Sequence, residues 1–219
     1  MSGENKTEGY TKNVEPVNLT ESEARNNTEG SEAMEKKAEG RRKRASVLLD
    51  LVIYALIIYT CIYLIPTYVI QRTIVDGPSM EDTLHNGEHL LVEKISYHLD
   101  QLKRFDIIVF YPHGRDYEEY YVKRIIGLPG ETVQIKGADI YINGERLDEN
   151  YGKEPITYAG LAEEPITLDS DEFFVMGDNR EVSLDSRYEE VGEVTKENIG
   201  GRAILRIWPL NKFGLMKHE

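Results

Sequence analysis

An apolar segment, residues 51–70, constrains this chain more than any other feature. It carries no charge, and about 20 residues at 1.5 Å rise make about 30 Å of helix, which matches the hydrocarbon thickness of a bilayer. The basic cluster RRKR at residues 41–44 precedes it, and such clusters stay on the cytoplasmic side. The sequence therefore predicts a single-pass protein of the cell membrane, with a cytoplasmic N-terminus and an extracytoplasmic domain after residue 70.

The apolar segment has the features of a permanent anchor. A cleavable signal peptide has an apolar region of about 7–15 residues that ends at small residues, whereas this segment is longer and continues into Gln71 and Arg72. Cys61, the only cysteine, lies in mid-segment without the small residues that precede a lipid-attachment site. We expect a transmembrane anchor over residues 45–70, and neither a disulfide framework nor a lipoprotein.

The regions on either side of the anchor differ in composition. Residues 1–40 are rich in Glu, Asn, Thr, Gly and Lys and have few large apolar side chains, so we expect a disordered cytoplasmic tail over residues 1–44. Residues 71–219 can form one domain with a core. The net charge is −13 and the dense basic run lies in the tail, so nucleic acid is not an expected partner.

The extracytoplasmic domain has the pattern of a mostly β fold. Short β-branched or aromatic runs occur at residues 90–92, 106–111, 120–122, 132–135, 139–142, 173–176 and 203–207. Asn143-Gly144 is typical of a two-residue hairpin. No useful helical periodicity appears outside the anchor, so we expect packed sheets or a partly closed barrel.

Several enzyme classes lack their required residues. None of the five histidines pairs with a second ligand at zinc spacing, and no glycine-rich phosphate loop is present. The G-x-S-x-G motif and the alternating helices of α/β-hydrolases are also missing. We therefore expect no metal and no cofactor.

A serine and a lysine remain as candidates for chemistry. Ser79 follows Gly77-Pro78, in a turn that would present its hydroxyl, and Lys123 lies in an apolar strand beside Arg124. Strand alternation predicts that one of these two cations points inward. A buried ammonium has a lowered pKa, so its neutral amine could take a proton from a serine. These residues alone also fit the alternative that Lys123 is an ordinary solvated lysine on a half-exposed strand.

The order of the surrounding segments resembles a known family. Residues 77–84, 104–110, 121–131 and 177–187 resemble the four successive boxes of bacterial type I signal peptidases of the Gram-positive kind, within a resemblance over residues 41–210. It implies an all-β catalytic domain behind one transmembrane helix. It also implies a serine endopeptidase that removes signal peptides from exported preproteins after small residues at −1 and −3. The implied partners are signal peptides, the lipid bilayer and the secretion translocon.

The resemblance also implies roles for single residues. Ser79 matches the nucleophile, Lys123 the general base, and Ser183 the hydroxyl that orients the lysine amine. Asp185 and Arg187 match a pair that supports the site, although their spacing also fits a plain surface ion pair. The residues that match the walls of the S1 and S3 pockets are Val75, Gly77, Met80, Leu84, Tyr121 and Val122, each of which could instead be an ordinary core residue.

Two positions depart from the family pattern. Asp82 stands where many members have proline, so we expect a looser turn after Met80. Gly77 stands where many members place a serine hydroxyl as an oxyanion donor, so the oxyanion hole would rest chiefly on the Ser79 backbone N–H.

Two other classes of protein are alternatives. A non-catalytic relative that helps pilus subunits assemble would lack the dyad, and this chain retains both Ser79 and Lys123. A self-cleaving Ser/Lys repressor-type protease would be cytosolic and bind DNA, which the anchor and the acidic outer domain contradict.

Overall fold

The computed structural model describes residues 21–96, 98–99, 102–152 and 154–216. The chain divides into two compact units, one ending at Ile58 and the other beginning at Tyr59. The first 20 residues of the expected tail lie outside the described residues.

Helical structure occupies the N-terminal part of the described chain. Helix α1 spans Glu21–Tyr59, a π-helical turn spans Thr60–Leu64, and helix α2 spans Ile65–Tyr68. Within this stretch the segment Glu39–Tyr68 contains 18 consecutive residues with a mean hydropathy of 2.3, and by length and composition it could cross a membrane. The π-helical turn stands just before Pro66, whose missing N–H disturbs a regular helical hydrogen-bond ladder.

The structure departs from the expectation at both ends of the anchor. Residues 21–44 are helical, where the sequence predicts a disordered tail and no helix outside the anchor. The segment is rich in Glu, Ala and Lys, which have high helix propensity, and Lys43 pairs with Glu39 one turn earlier at 2.9 Å. At the other end, the helix stops at Tyr68 and Ile70 already belongs to a strand.

Twelve strands lie in the described part of the second unit. In chain order they are β1 Ile70–Ile74, β2 His89–Glu93, β3 Ile107–Phe110, β4 Tyr121–Gly127, β5 Thr132–Lys136, β6 Asp139–Ile142, β7 Glu145–Arg146, β8 Ile166–Thr167, β9 Glu172–Met176, β10 Val194–Thr195, β11 Ile199–Trp208 and β12 Gly214–Leu215. Each of the seven runs predicted from the sequence overlaps a strand. The expected mostly β fold is confirmed.

The larger sheet has the strand order β1-β2-β11-β3-β4-β9-β10, and β12 pairs with β11. Every pairing is antiparallel. The long strand β11 shifts register against both of its main neighbours, and such bulges increase bend and twist. The sheet therefore curls into a half-barrel.

The smaller sheet has the order β7-β6-β5-β8. Its β6–β7 hairpin turns at Asn143 and Gly144, whose φ angles are 52° and 84°, as a two-residue hairpin turn of the predicted kind requires.

The buried apolar residues form clusters that cover both faces of the larger sheet. One cluster joins the segment after β1 to strands β2, β3 and β11 through Val75, Met80, Leu84, Leu90 and Val109. Another joins β4 and β9 to the smaller sheet. Strand β4 is therefore buried along its length from Val122 onward.

Candidate active site

Ser79 lies in the turn between β1 and β2. Gly77 makes the first bend with a φ of +85°, a conformation that favours glycine. The next residues form two tight turns, since Glu81 N–H donates to the Pro78 carbonyl at 3.1 Å and Leu84 N–H donates to the Met80 carbonyl at 2.8 Å. Met80 is fully buried and anchors the turn. The looser turn expected from Asp82 is therefore not seen.

Lys123 reaches Ser79 from the middle of the larger sheet. It lies on β4, opposite Ile108 of β3, and its Nζ donates a hydrogen bond of 2.7 Å to the Ser79 Oγ. Both Lys123 and its neighbour Arg124 are buried. The prediction that one of these cations points inward was too narrow, because both faces of β4 are covered.

The surroundings of Lys123 change its acidity. Together they lower the pKa of its ammonium to about 8: burial and the charge of Arg187 lower it, whereas Asp185 and Asp178 act in the opposite direction. Loss of hydration is the largest of these effects and disfavours the charged form. A substantial fraction of Lys123 is therefore neutral near pH 8.

The turn after β9 packs against Ser79. Asn179 N–H donates to the Ser79 carbonyl at 3.1 Å. A Cβ on Gly177 would lie 2.4 Å from the Ser79 carbonyl oxygen and 2.2 Å from the Ser183 Oγ. Only glycine therefore permits this approach of the chain.

Ser183 belongs to the same turn. Its N–H donates to the Asn179 carbonyl at 3.1 Å, and its side chain is buried. Within the described chain its Oγ has no hydrogen-bond partner, so the contact with Lys123 that the resemblance implies is not formed here. This oxygen is free to accept a hydrogen bond.

Asp185 and Arg187 form a buried ion pair, with both side chains fully inaccessible. The guanidinium binds the carboxylate through two nitrogens, at 2.8 and 3.0 Å, and also donates to the Arg180 carbonyl. Asp185 accepts the Gly177 N–H at 3.0 Å. The alternative of a surface ion pair is therefore wrong, and the pair holds the turn beside Ser79.

Arg124 was identified from the sequence only as a cation beside Lys123, without a role in the site. Its guanidinium forms a fully buried two-point ion pair with Asp178, at 2.8 and 2.6 Å, and donates to the Phe105 carbonyl and the Thr83 hydroxyl. It therefore ties the turn after β9 to the segment after Ser79. Its position in an apolar strand could have indicated this role, because a cation on a buried strand needs a buried acid as a partner.

An open groove of about 450 Å³ lies over Ser79 and Lys123. Five of the six expected pocket residues line it: Val75, Gly77, Met80, Tyr121 and Val122. Leu84, which is fully buried in the core, is not among the lining residues. The sequence reasoning missed other lining residues, among them Asp76, Pro78, Glu118, Glu119, Tyr120, Val182 and Leu184. Two of these, Glu118 and Glu119, belong to the acidic run before β4, which could have been noticed in the sequence.

Few backbone N–H groups beside Ser79 are available as hydrogen-bond donors. Gly77 N–H is taken by the Asn86 side-chain oxygen at 3.0 Å, and Pro78 has no N–H. The Ser79 N–H makes no hydrogen bond to protein within the described ranges. In the same part of the chain, no group of three or more His, Cys, Asp or Glu side chains could hold a metal ion.

Comparison with known proteins places this chain in a family. The family model described as "Signal peptidase, peptidase S26" matches residues 47–208. Signal peptidase I of Leptolyngbya laminosa is 43% identical over 156 residues, which cover 68% of this chain and 74% of that protein. Signal peptidase I P of Bacillus subtilis subsp. natto is 36% identical over 178 residues, covering 78% of this chain and 95% of the relative.

A solved structure is also similar. The crystal structure of a signal peptidase I from Enterococcus faecalis is 35% identical and covers 46% of this chain and 95% of its own, with a TM-score of 0.38. The family match spans more than half of the chain, and the relatives exceed 30% identity over more than two thirds of it. This chain is a serine peptidase that belongs to the signal peptidase S26 family, and it carries an N-terminal helix that is long and apolar enough to cross a membrane.

Proposed function

We propose that this protein removes signal peptides from exported preproteins, with Ser79 as nucleophile and Lys123 as general base. The observation that carries the proposal is the 2.7 Å hydrogen bond between their side chains, made by a buried lysine whose pKa is lowered to about 8. A base of this pKa can accept a proton from serine near neutral pH. The names of the relatives supply the substrate class.

The proposed reaction has two halves. Neutral Lys123 takes the proton from the Ser79 Oγ while that oxygen attacks the carbonyl carbon of the scissile bond. The Lys123 ammonium then gives the proton to the leaving amine, which becomes the N-terminus of the mature protein. Water, deprotonated by Lys123, hydrolyses the ester on Ser79 and frees the signal peptide.

The negative charge that develops on the carbonyl oxygen of the scissile bond needs a hydrogen-bond donor to stabilise it. The Ser79 N–H suits this role, since it has no protein acceptor among the described residues, whereas Gly77 N–H is committed to Asn86. Loss of one oxyanion donor costs about 2.7–4 kcal/mol in other enzymes. The hydrogen bond from Asn179 to the Ser79 carbonyl would hold this peptide group in place.

The groove suits a peptide with small side chains at −1 and −3. Val75, Met80 and Val122 line it with apolar side chains. Because these side chains are packed in the core and leave little exposed surface, the pockets that they would form are shallow. Alanine fits such pockets, whereas a large side chain would have to displace packed core residues.

In the proposed topology the peptidase unit, by which we mean the domain after residue 70, lies outside the cell. The basic cluster at residues 41–44 would stay in the cytoplasm, and the apolar helix that ends at Tyr68 would cross the bilayer. The bilayer and the secretion translocon are then the partners that bring a preprotein to the groove. Protease added to intact spheroplasts should degrade the peptidase unit and spare the tail, and the reverse pattern would overturn this topology.

The non-catalytic pilus-assembly alternative has no observation in its favour. A protein without proteolytic activity has no need for a desolvated lysine, whose burial costs stability. The contact between Lys123 and Ser79 therefore counts against it.

The test is cleavage of a preprotein by membranes that carry wild-type protein, Ser79→Ala, or Ser170→Ala. Ser170 is exposed and outside the groove, so it is the matched control. We expect Ser79→Ala to abolish cleavage and Ser170→Ala to behave as wild type. Processing by purified Ser79→Ala at a rate near wild type would refute the proposal.

A further inference from the structure

Lys94 connects the end of the apolar helix to the larger sheet. It directly follows β2, and its Nζ donates to the carbonyls of Pro66 and Thr67, each at 3.2 Å. Its backbone N–H donates to the Val69 carbonyl at 2.9 Å. One residue therefore makes three hydrogen bonds to the last residues of the helix and the one after it.

The chemistry of a helix end explains why a lysine suits this place. The last carbonyls of a helix have no partner within the helix, and they carry the negative end of its dipole. An ammonium can bind two of them at once and offset that partial charge. Lys94 is half-buried, and this burial, together with the charge of Arg115, lowers the pKa of its ammonium.

The helix and the sheet are joined with almost no linker. Helix α2 ends at Tyr68, and Ile70 already pairs with Glu93 in the β1–β2 ladder. Strand β1 then advances about 13 Å before the turn that carries Ser79. A short, hydrogen-bonded joint of this kind resists bending at Val69.

We propose that Lys94 is a positioning residue that fixes the peptidase unit on the end of its membrane helix and so holds Ser79 at a set height above the bilayer. This inference rests on the proposed function. A signal peptide leaves the bilayer where its own apolar segment ends, so a fixed height determines which peptide bond reaches Ser79. The catalytic pair itself does not depend on Lys94.

The first test compares two substrates of the full-length protein in proteoliposomes. One is a preprotein whose apolar segment lies in the bilayer, and the other is a short soluble peptide that spans the same cleavage site. Lys94→Met removes both hydrogen bonds from Nζ, Lys94→Arg keeps a donor cation, and Lys103→Met removes an exposed cation elsewhere.

We expect Lys94→Met to slow preprotein cleavage about tenfold and to add neighbouring cleavage positions, while kcat/KM for the soluble peptide stays within about twofold. Lys94→Arg should restore most of the preprotein rate, and Lys103→Met should match wild type. Equal rates of wild type and Lys94→Met on both substrates, or equal losses on both, would overturn the proposal.

The second test does not depend on peptidase activity. Spin labels on the exposed Cys61 and on Glu145→Cys, an exposed position in β7, report the distance between the helix and the peptidase unit in nanodiscs. We expect a narrow distance distribution in the background with native Lys94 and a broad one with Lys94→Met. Equally narrow distributions would refute the role of Lys94, and this result would hold whether or not the proposed function is correct.

Discussion

The pH dependence of cleavage follows from the burial of Lys123. In the proposed mechanism Lys123 is the base, and with its pKa lowered to about 8 only its neutral fraction can act. That fraction is about 1% at pH 6, about 10% at pH 7 and half at pH 8. We therefore expect kcat/KM to rise about tenfold per pH unit up to pH 7 and to level off above pH 8 to 9. A lysine with the ordinary pKa of about 10.4 would still be gaining activity at pH 10.

The assay is single-site cleavage of a soluble peptide by the full-length protein in detergent micelles, over pH 5.5–10 at constant ionic strength. The peptide should have no group that titrates between pH 5 and 9. Circular dichroism at each pH checks that the protein stays folded. Ser79→Ala supplies the background rate.

The reasoning would be refuted by a profile that is flat between pH 5.5 and 9. It would equally be refuted by a profile that rises without a plateau towards the value of free lysine. The first result would mean that Lys123 is not the base, and the second that it is not desolvated.

Four further outcomes follow from the same geometry. Lys123→Arg should be as inactive as Lys123→Met in the peptide assay, because a guanidinium does not deprotonate in a protein. Lys123→Met should raise the free energy of unfolding at pH 7 by up to about 3 kcal/mol in urea titrations, because a folded pKa below the unfolded one costs stability below pH 8. That gain should shrink between pH 8 and 10.5, where the unfolded wild type binds more protons; a gain that is constant with pH would contradict this origin. Gly177→Ala should lower both the melting temperature and kcat, since its methyl group would overlap the Ser79 carbonyl oxygen, and a variant with wild-type values would show that the turn is loose. Ser183→Ala should reduce kcat without abolishing it and leave thermal stability equal or higher, since it removes a buried hydroxyl without a partner; an unchanged kcat would remove Ser183 from the site.

Local patterns predicted the strands well, because alternation and turn residues act over a few positions. The Asn143-Gly144 hairpin is an example, since two adjacent residues with positive φ define it. The helix over residues 21–44 was not predicted, because a segment with few large apolar residues is typical of disorder, whereas Glu, Ala and Lys favour helix without any core contact.

Contacts between distant positions could not be predicted in the same way. Arg124 and Asp178 are 54 residues apart, and only the pairing of β4 with β9 brings them together. Leu84 shows the related limit, because an apolar residue near Ser79 fits a pocket wall and a core position equally well until packing is known. The family resemblance named Ser79 and Lys123, whereas their distance and the burial of the lysine came from the structure.

The central claim is that a preprotein is cleaved through an ester on Ser79. The most direct measurement is mass spectrometry of the full-length protein mixed with a preprotein, quenched in acid within milliseconds to seconds, and digested. The account predicts a signal peptide joined to the fragment that contains Ser79, with the adduct absent from Ser79→Ala and from Lys123→Met. An adduct on another residue, or rapid cleavage by Ser79→Ala, would contradict it.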